Sequence, residues 1–364
     1  MRIAIAGGRG IPANYGGFET FTEELSAALV ARGHEVTVYC RERYTRPEYR
    51  GVRLVYLPTI RHKYFDTLAH TCYSTFHLLF RRVDAALYLN AANAAFTLLP
   101  RIFGMPVALN VDGIERRRKK WNVLAKAWYL ISEWLATWLP TVVITDAVAI
   151  QDYYLERYGK TTTFIPYGAD AEIVETTGTL DRLGLEKQRY FLYVSRMEPE
   201  NHALTVRQAY EKVPTDLKLA LVGDAPYASD YIRQVGDTGD PRVLLPGAIY
   251  GQGYKELGSW CFAYIHATEV GGTHPALIEA MGRGALVIYR DVPENKEVCG
   301  EAGLPFNDED SLVTAIRTAL AMPEAERNEY RQRARQRVQA RYTWEAVTSQ
   351  YERLFEEMRS PTRL

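Results

Sequence analysis

Cysteine is scarce in this chain: four residues in 364, Cys40, Cys72, Cys261 and Cys299, scattered and without a Cys-x-x-Cys pair. That spacing excludes a disulfide scaffold and a thiolate metal site, and it fits a reducing compartment. No apolar run approaches the roughly 18 residues of a membrane-spanning helix. The first apolar stretch, Ile3 to Ala6, ends at Gly7-Gly8, which is the length of a strand and not of a signal peptide. Excess charge is missing as well, with 44 Lys plus Arg against 44 Asp plus Glu. A balanced chain of this kind is not built to coat nucleic acid. The expected location is the cytoplasm, free or held peripherally on the inner face of the cell membrane.

What is present is the composition of a folded protein, 47% hydrophobic and 24% charged, in the ordinary globular range. A chain of 364 residues exceeds one ordinary core and suits two domains. Short apolar runs bounded by Gly, Pro or Asp alternate with helical patterns: strands are expected at 2–6, 35–40, 53–56, 85–89, 107–111, 142–145 and 163–165, with helices at 17–32, 68–80, 121–137 and 147–158. The alternation then restarts, with strands at 190–194, 218–222, 243–245, 263–266 and 286–288 and helices near 203–212, 227–236, 250–259, 275–283 and 311–320. Buried strands alternating with helices indicate parallel sheets covered on both faces. The expected fold is α/β, two doubly wound, Rossmann-like domains at 1–168 and 169–340 that face a central crevice. The join falls in the turn-rich Pro166-Tyr167-Gly168-Ala169-Asp170,. From about Pro323 to Met358 the chain reads as charged helix, its last part, 341–364, packing back on the first domain.

Ligands of doubly wound folds sit beyond the carboxyl ends of the strands, so motifs that follow strands carry the most weight. Gly271-Gly272-Thr273-His274-Pro275 leads into a helix with proline at its first position. Free backbone amides there can hold an anion, and Glu279, one turn inside, can reach hydroxyls of the same ligand. The plain alternative is a turn followed by an ordinary amphipathic helix. After the first strand, Gly7-Gly8-Arg9-Gly10-Ile11-Pro12-Ala13-Asn14-Tyr15-Gly16-Gly17 reads as a long loop delivering the amides of Gly16 and Gly17 to a diphosphate, or as a loop that needs positive φ. Gly8-x-Gly10-x-x-Ala13 also fits a dinucleotide fingerprint formally, which opens a second reading as a nicotinamide-dependent oxidoreductase with Glu42 as the ribose acid. After the strand at 190–194 comes Ser195-Arg196-Met197-Glu198-Pro199-Glu200-Asn201, where Arg196 can fork onto phosphate oxygens or pair with a nearby glutamate. Gly223 and Tyr250 follow two further strands, in positions that could frame a nucleobase.

These residues resemble the retaining fourth family of GT-B glycosyltransferases, and within it the bacterial branch that contains cell-surface rhamnosyltransferases. The motifs that carry the resemblance are Tyr15-Gly16-Gly17-Phe18-Glu19-Thr20, Asn110-Val111-Asp112-Gly113, Phe164 to Asp170, Arg196 to Asn201 and Gly271 to Glu279. The resemblance implies a nucleotide-sugar donor, linked to dTDP, UDP or GDP, on the second domain and a glycan or lipid-diphosphate acceptor on the first. Residue by residue, Arg196, Glu279 and Asp112 are expected at the reacting centre. The donor is expected to meet Gly16, Gly17, Asn201, Gly223, Tyr250, Gly271, Gly272, Thr273 and His274. Tyr15, Asn110 and Arg117 are expected on the acceptor side. No cofactor and no metal is expected. Two positions depart from the family pattern: Gly271 stands where relatives carry the first of two glutamates, with Glu269 the nearest carboxylate, and Asn201 stands where relatives often carry a phosphate-binding lysine.

The chemistry so implied asks little of the protein, because a nucleoside diphosphate is already a good leaving group and needs chiefly its growing charge stabilised. The missing glutamate and lysine leave a third reading open, a catalytically silent sugar-binding protein. The basic run Arg116-Arg117-Arg118-Lys119-Lys120, followed by Trp121, Trp128, Trp134 and Trp138, reads either as a membrane or lipid-diphosphate contact or as a solvated turn before a helix with core tryptophans.

Overall fold

The computed structural model describes residues 1–13, 16–62, 64–118, 121–225 and 228–359. The chain forms two compact units, Met1–Gly168 together with the helix that starts at Trp344, and Ala169–Thr343.

The sheet of the first unit contains β1 (Arg2–Ala6), β2 (Glu35–Cys40), β3 (Glu48–Tyr49), β4 (Val52–Tyr56), β5 (Ala85–Leu89), β6 (Val107–Asn110), β7 (Val142–Thr145) and β8 (Thr163–Phe164), in the order β3-β4-β2-β1-β5-β6-β7-β8. All neighbours are parallel except the short β3, which runs antiparallel to β4. Every residue of β5 and β6 is buried. Helices cover both faces of such strands, so they read as unbroken Ala, Leu and Val rather than as an alternation. The strand order reverses between β1 and β5, and the loops that leave these strands carry Gly16, Gly17 and the turn at Asn90.

The second unit contains β9 (Tyr190–Val194), β10 (Lys218–Val222), β11 (Val243–Gly247), β12 (Ala263–His266), β13 (Leu286–Arg290) and β14 (Gly303–Phe306), all parallel, in the order β11-β10-β9-β12-β13-β14. Its reversal falls between β9 and β12, which is where ligands of open α/β sheets bind. The edge strand β14 was not among the strands expected from the sequence. Pro305 interrupts its apolar pattern, and proline is tolerated there because one side of an edge strand makes no ladder.

The charged tail is not one helix but two, Glu324–Arg341 and Trp344–Arg359. The break has a tertiary cause: Ala169 pairs with Thr343 in a parallel bridge and its amide donates to the Tyr342 carbonyl at 2.9 Å, so this backbone is spent on cross-pairing. The last helix packs in the first unit on the helix Gly17–Ala31. The Phe21 and Tyr351 rings lie 5.4 Å apart, and Glu352 receives both Arg32 Nη1 and His34 Nε2 at 2.7 Å.

Candidate active site

In the second unit the loops leaving β9 and β12 are laced together. The Glu269 amide donates to the Glu200 carbonyl at 3.1 Å, Ser195 Oγ and Thr268 Oγ1 lie 3.4 Å apart, and His202 Nε2 lies 2.6 Å from Glu269 Oε2. The end of β10 closes on the same place. Gly223 has φ +152°, and a Cβ there would stand 1.8 Å from the Ser195 carbonyl oxygen, so only glycine fits. Arg196 is half-buried on this platform and reaches Glu198 at 3.8 Å, beyond hydrogen-bond range. Asn201 is buried and donates from Nδ2 to the Arg196 carbonyl at 2.7 Å, while its own carbonyl accepts from Tyr193 at 2.8 Å. It braces the loop that presents Arg196.

The helix Pro275–Gly282 begins with His274 in extended conformation as its N-cap and Pro275 inside, and no side chain caps it. Pro275 has no amide proton, and the amides of Leu277 and Ile278 donate to the His274 carbonyl at 3.1 and 3.3 Å, so an anion at this helix start would meet chiefly the Ala276 amide. Gly271 and His274 are fitted to each other: a Cβ on Gly271 would meet His274 Nε2 at 2.4 Å. The His274 ring is itself held, with Nδ1 3.1 Å from Asn295 Oδ1 and its centroid 4.9 Å from that of His266. Asn295 is fully buried and donates to the carbonyls of Thr268 and Arg290, each at 3.0 Å. Burial, reinforced by His274, holds His266 well below the usual imidazole range, so it stays neutral. The imidazole of His274 thus fills the space that a side chain at position 271 would need. Glu269 is turned toward His202 and, at 3.7 Å, Arg290.

Glu279 points into the second unit one turn inside this helix. Burial pushes its carboxyl above the usual range, against the pull of Arg283 and of a hydrogen bond from the Tyr254 hydroxyl. Arg283 Nη1 stands 3.6 Å from Glu279 Oε2, its guanidinium lies 5.1 Å above the Tyr254 ring, and its Nε donates to the Glu172 carbonyl. Burial outweighs the charge pair here because both groups are removed from water. Tyr250, the N-cap of the helix Gly251–Trp260, stands exposed at the end of the β11 connection.

The remaining candidates lie in the first unit. Gly16 caps the helix Gly17–Ala31, again with no side-chain cap. A carboxylate oxygen of Glu19 lies 3.4 Å from where a Cβ on Gly16 would stand, so a negative charge already attends these amides. Arg9 lies near enough to Arg41 for their charges to interact, and burial lowers the Arg41 pKa despite its pairing with Asp66. Asp112 has φ +58°, fixed by its amide donating to Asn110 Oδ1 at 3.0 Å. Asn110 is fully buried and its Nδ2 donates to Tyr351 at 3.0 Å, so it shapes the Asp112 turn and presents nothing to an acceptor. That is a correction of its expected role. Arg117 is exposed, 5.8 Å from the Tyr153 ring centroid. Its neighbours Arg116 and Arg118 are spent on Glu133 and Glu115. Tyr15, Lys119 and Lys120 lie outside the described residues. The triplet Asp308-Glu309-Asp310 opens a helix, with Asp308 Oδ1 accepting from the Ser311 amide at 2.9 Å.

Residues 15–173 match the family described as Glycosyltransferase Family 4, and residues 188–322 match the one described as Glycosyl transferases group 1. Both matches are to glycosyltransferase families, and the fold is GT-B. Sucrose-phosphate synthase from Thermosynechococcus elongatus has the same fold, with a TM-score of 0.81 and 22% identity over 98% of both chains. HepE from Anabaena, solved with UDP-glucose, reaches 0.79 with 17% identity over 98% of this chain and all, 100%, of its own. Among curated proteins, O-antigen chain mannosyltransferase B of Escherichia coli is 26% identical over 185 residues, 48% of each chain. N-acetylgalactosamine-N,N'-diacetylbacillosaminyl-diphospho-undecaprenol 4-alpha-N-acetylgalactosaminyltransferase of Campylobacter jejuni is 28% identical over 161 residues, 42% of this chain and 43% of that one. The chain thus matches about half the length of these curated relatives.

The nicotinamide reading has no support from these matches. Its structural premise also fails, because the helix starts at Gly17, four positions beyond Ala13, so the Gly8-x-Gly10-x-x-Ala13 turn does not deliver helix-start amides to a pyrophosphate. Sequence reasoning missed Arg283, Tyr254 and Asn295. Arg283 was within reach of the rule that residues four apart share a helix face. Tyr254 and Asn295 come from other helices, and no local signal pointed to them.

Proposed function

We propose that this protein transfers a sugar from a nucleotide donor to a cell-surface glycan or a lipid-diphosphate-linked oligosaccharide, with retention of configuration, on the cytoplasmic side of the membrane. Rhamnose is the sugar favoured by the resemblance of its motifs. The observation that carries the reading is the lacing of the Arg196 loop to the Gly271–His274 loop at the reversal of the second sheet. A guanidinium and an uncapped helix start, offered from neighbouring strand ends, suit the two phosphates of a nucleoside diphosphate. Glu279 then accepts from the ribose hydroxyls. The backbone of Gly272 and Thr273 lines the sugar, in a space narrowed by His274. Anabaena HepE was solved with UDP-glucose and with UDP, and the name of the Campylobacter jejuni relative specifies a diphospho-undecaprenol acceptor. Both support the class of ligand.

In this reading the protein stabilises charge as the sugar–phosphate bond breaks. Arg196 and the Ala276 amide at the start of the Pro275–Gly282 helix hold the departing diphosphate, whose oxygen takes the proton of the attacking acceptor hydroxyl on the same face. The reading requires no metal and no protein nucleophile. Incubating the full chain with dTDP-, UDP- and GDP-sugars and a lipid-linked acceptor extract should give transfer from one donor class, abolished in Arg196→Ala. Donor binding without transfer by the unaltered chain would instead favour the silent sugar-binding protein.

A further inference from the structure

The helix Val123–Ala136 is inside out. Its buried residues are Tyr129, Ser132, Glu133 and Ala136, whereas Val123, Leu124, Ile131 and Trp134 are 81%, 80%, 50% and 54% exposed. A surface helix of a soluble protein turns its apolar stripe to the core; this one turns it to solvent. The inversion has a built interior. Glu133 Oε2 accepts from Tyr153 at 2.7 Å and from Tyr158 at 3.0 Å, and Arg116 pairs with the same carboxylate, so the polar side is fixed inward.

Two neighbouring elements extend the stripe. Helices Asp66–Leu79 and Leu98–Ile102 pack on each other, and both pack, like Val123–Ala136, on the buried turn Ala91–Thr97. They contribute exposed Phe76 and Phe80 from one face, and exposed Ile102 and Phe103. Arg101 Nη1 ties the second of them to the segment after the inverted helix, donating to the carbonyl of Trp138, a ring that is 66% exposed. An aromatic ring carries about 150–250 Å². The five aromatic members, Phe76, Phe80, Phe103, Trp134 and Trp138, therefore rival the roughly 300–600 Å² of a typical monomer's largest apolar patch.

The exposed charges that these segments carry are of one sign, the flanking Asp66 and Asp84 being paired with Arg41 and Arg2. Arg81, Arg82, Arg101 and Lys126 are exposed, and the segments 67–82, 91–107 and 116–140 contain no acidic residue except the buried Glu133. Exposed tryptophan and phenylalanine within a basic rim suit the interface of a bilayer with anionic headgroups. A second copy of the chain suits it poorly, because a two-fold contact would set like charges against each other.

We infer that the first unit docks on an anionic lipid bilayer through the outward apolar face of the helix Val123–Ala136 together with Phe76, Phe80, Phe103 and Trp138. This differs from the membrane contact expected of the basic run, since Arg116 and Arg118 are turned inward. The inference does not depend on the donor site, and its test uses neither donor nor acceptor, so the two can fail separately. The full chain should float with phosphatidylglycerol–phosphatidylcholine vesicles, bind pure phosphatidylcholine far less, and lose binding as salt rises. Trp134→Ser with Trp138→Ser, and separately Arg82→Glu with Lys126→Glu, should each lower partitioning by about tenfold or more with an unchanged far-ultraviolet circular dichroism spectrum. Absence of wild-type binding to the anionic vesicles would overturn the inference, as would folded variants that bind like the wild type. A wild-type dimer that the tryptophan variant converts to monomer, without vesicle binding, would assign the face to a second copy instead.

Discussion

Arg196 and Glu279 sit in opposite electrostatic settings, and each predicts a different kind of loss on substitution. Arg196 is half-buried on a braced loop and its ion pair with Glu198, at 3.8 Å, is loose, so its guanidinium donors can turn to a charge that develops during reaction. Arg196→Ala should lower kcat by about 100-fold or more, the usual loss when a preorganised donor to a developing anion is removed, as measured by steady-state sugar transfer. Glu279 is buried with its carboxyl pushed above the usual range, and it must be ionised to accept from two ribose hydroxyls. Donor affinity should therefore weaken with falling pH sooner than an ordinary glutamate would dictate. Titration calorimetry across the acid range should show this limb in the wild type and lose it in Glu279→Gln. Gly223 gives a structural prediction. With φ +152° and 1.8 Å from a Cβ to Ser195 O, Gly223→Ala should cost about 2–3 kcal/mol in urea unfolding. At this scale the glycines and arginine were legible because they follow strand ends. The hydrogen bonds of Asn110 and Asn201 were not: an amide near a site reads the same whether it faces ligand or protein, and here Asn110 donates to the Tyr351 hydroxyl and Asn201 to the Arg196 carbonyl.

At the scale of elements, the last helix is held by a charged clasp that titrates. Glu352 accepts from His34 and Arg32 at 2.7 Å, and the hydrogen bond from His34, with that from Arg32, lowers its pKa. A folded-state pKa below the unfolded one adds stability that is present above the unfolded value and lost as pH falls through the folded value. The wild type should lose more stability than Glu352→Gln between neutral and acid pH, read as the change in Tm of each with pH. The elements themselves were largely legible, because strands buried on both faces leave apolar runs and helices leave a 3.6-residue period. Two features were not. The break at Tyr342–Thr343 depends on a partner at Ala169, far away in sequence, that no local pattern announces. The helix Val123–Ala136 shows its periodicity plainly, but periodicity does not say which stripe faces inward; that was decided by Tyr153, Tyr158 and Arg116, which satisfy Glu133 from elsewhere.

At the scale of the whole molecule, two doubly wound units each offer the loops of a strand-order reversal, and the second carries the proposed donor site. Its parts converge from β9, β10 and β12, so their sequence motifs, modest singly, acquire meaning from topology. Composition and charge balance narrowed the class without indicating a ligand, because a site of the kind proposed uses a handful of side chains and backbone amides that leave no compositional trace. The most direct test of the donor site is the thermal shift of the full chain with UDP, dTDP, GDP and ADP in turn. A nucleotide held at 100 times its Kd adds about 2.7 kcal/mol to the stability of the unit that binds it, a rise of several degrees in Tm for a unit of this size. The predicted result is such a rise for one nucleotide in the wild type and its loss in Arg196→Ala. No shift with any of the four, or an equal shift in Arg196→Ala, would contradict the assignment.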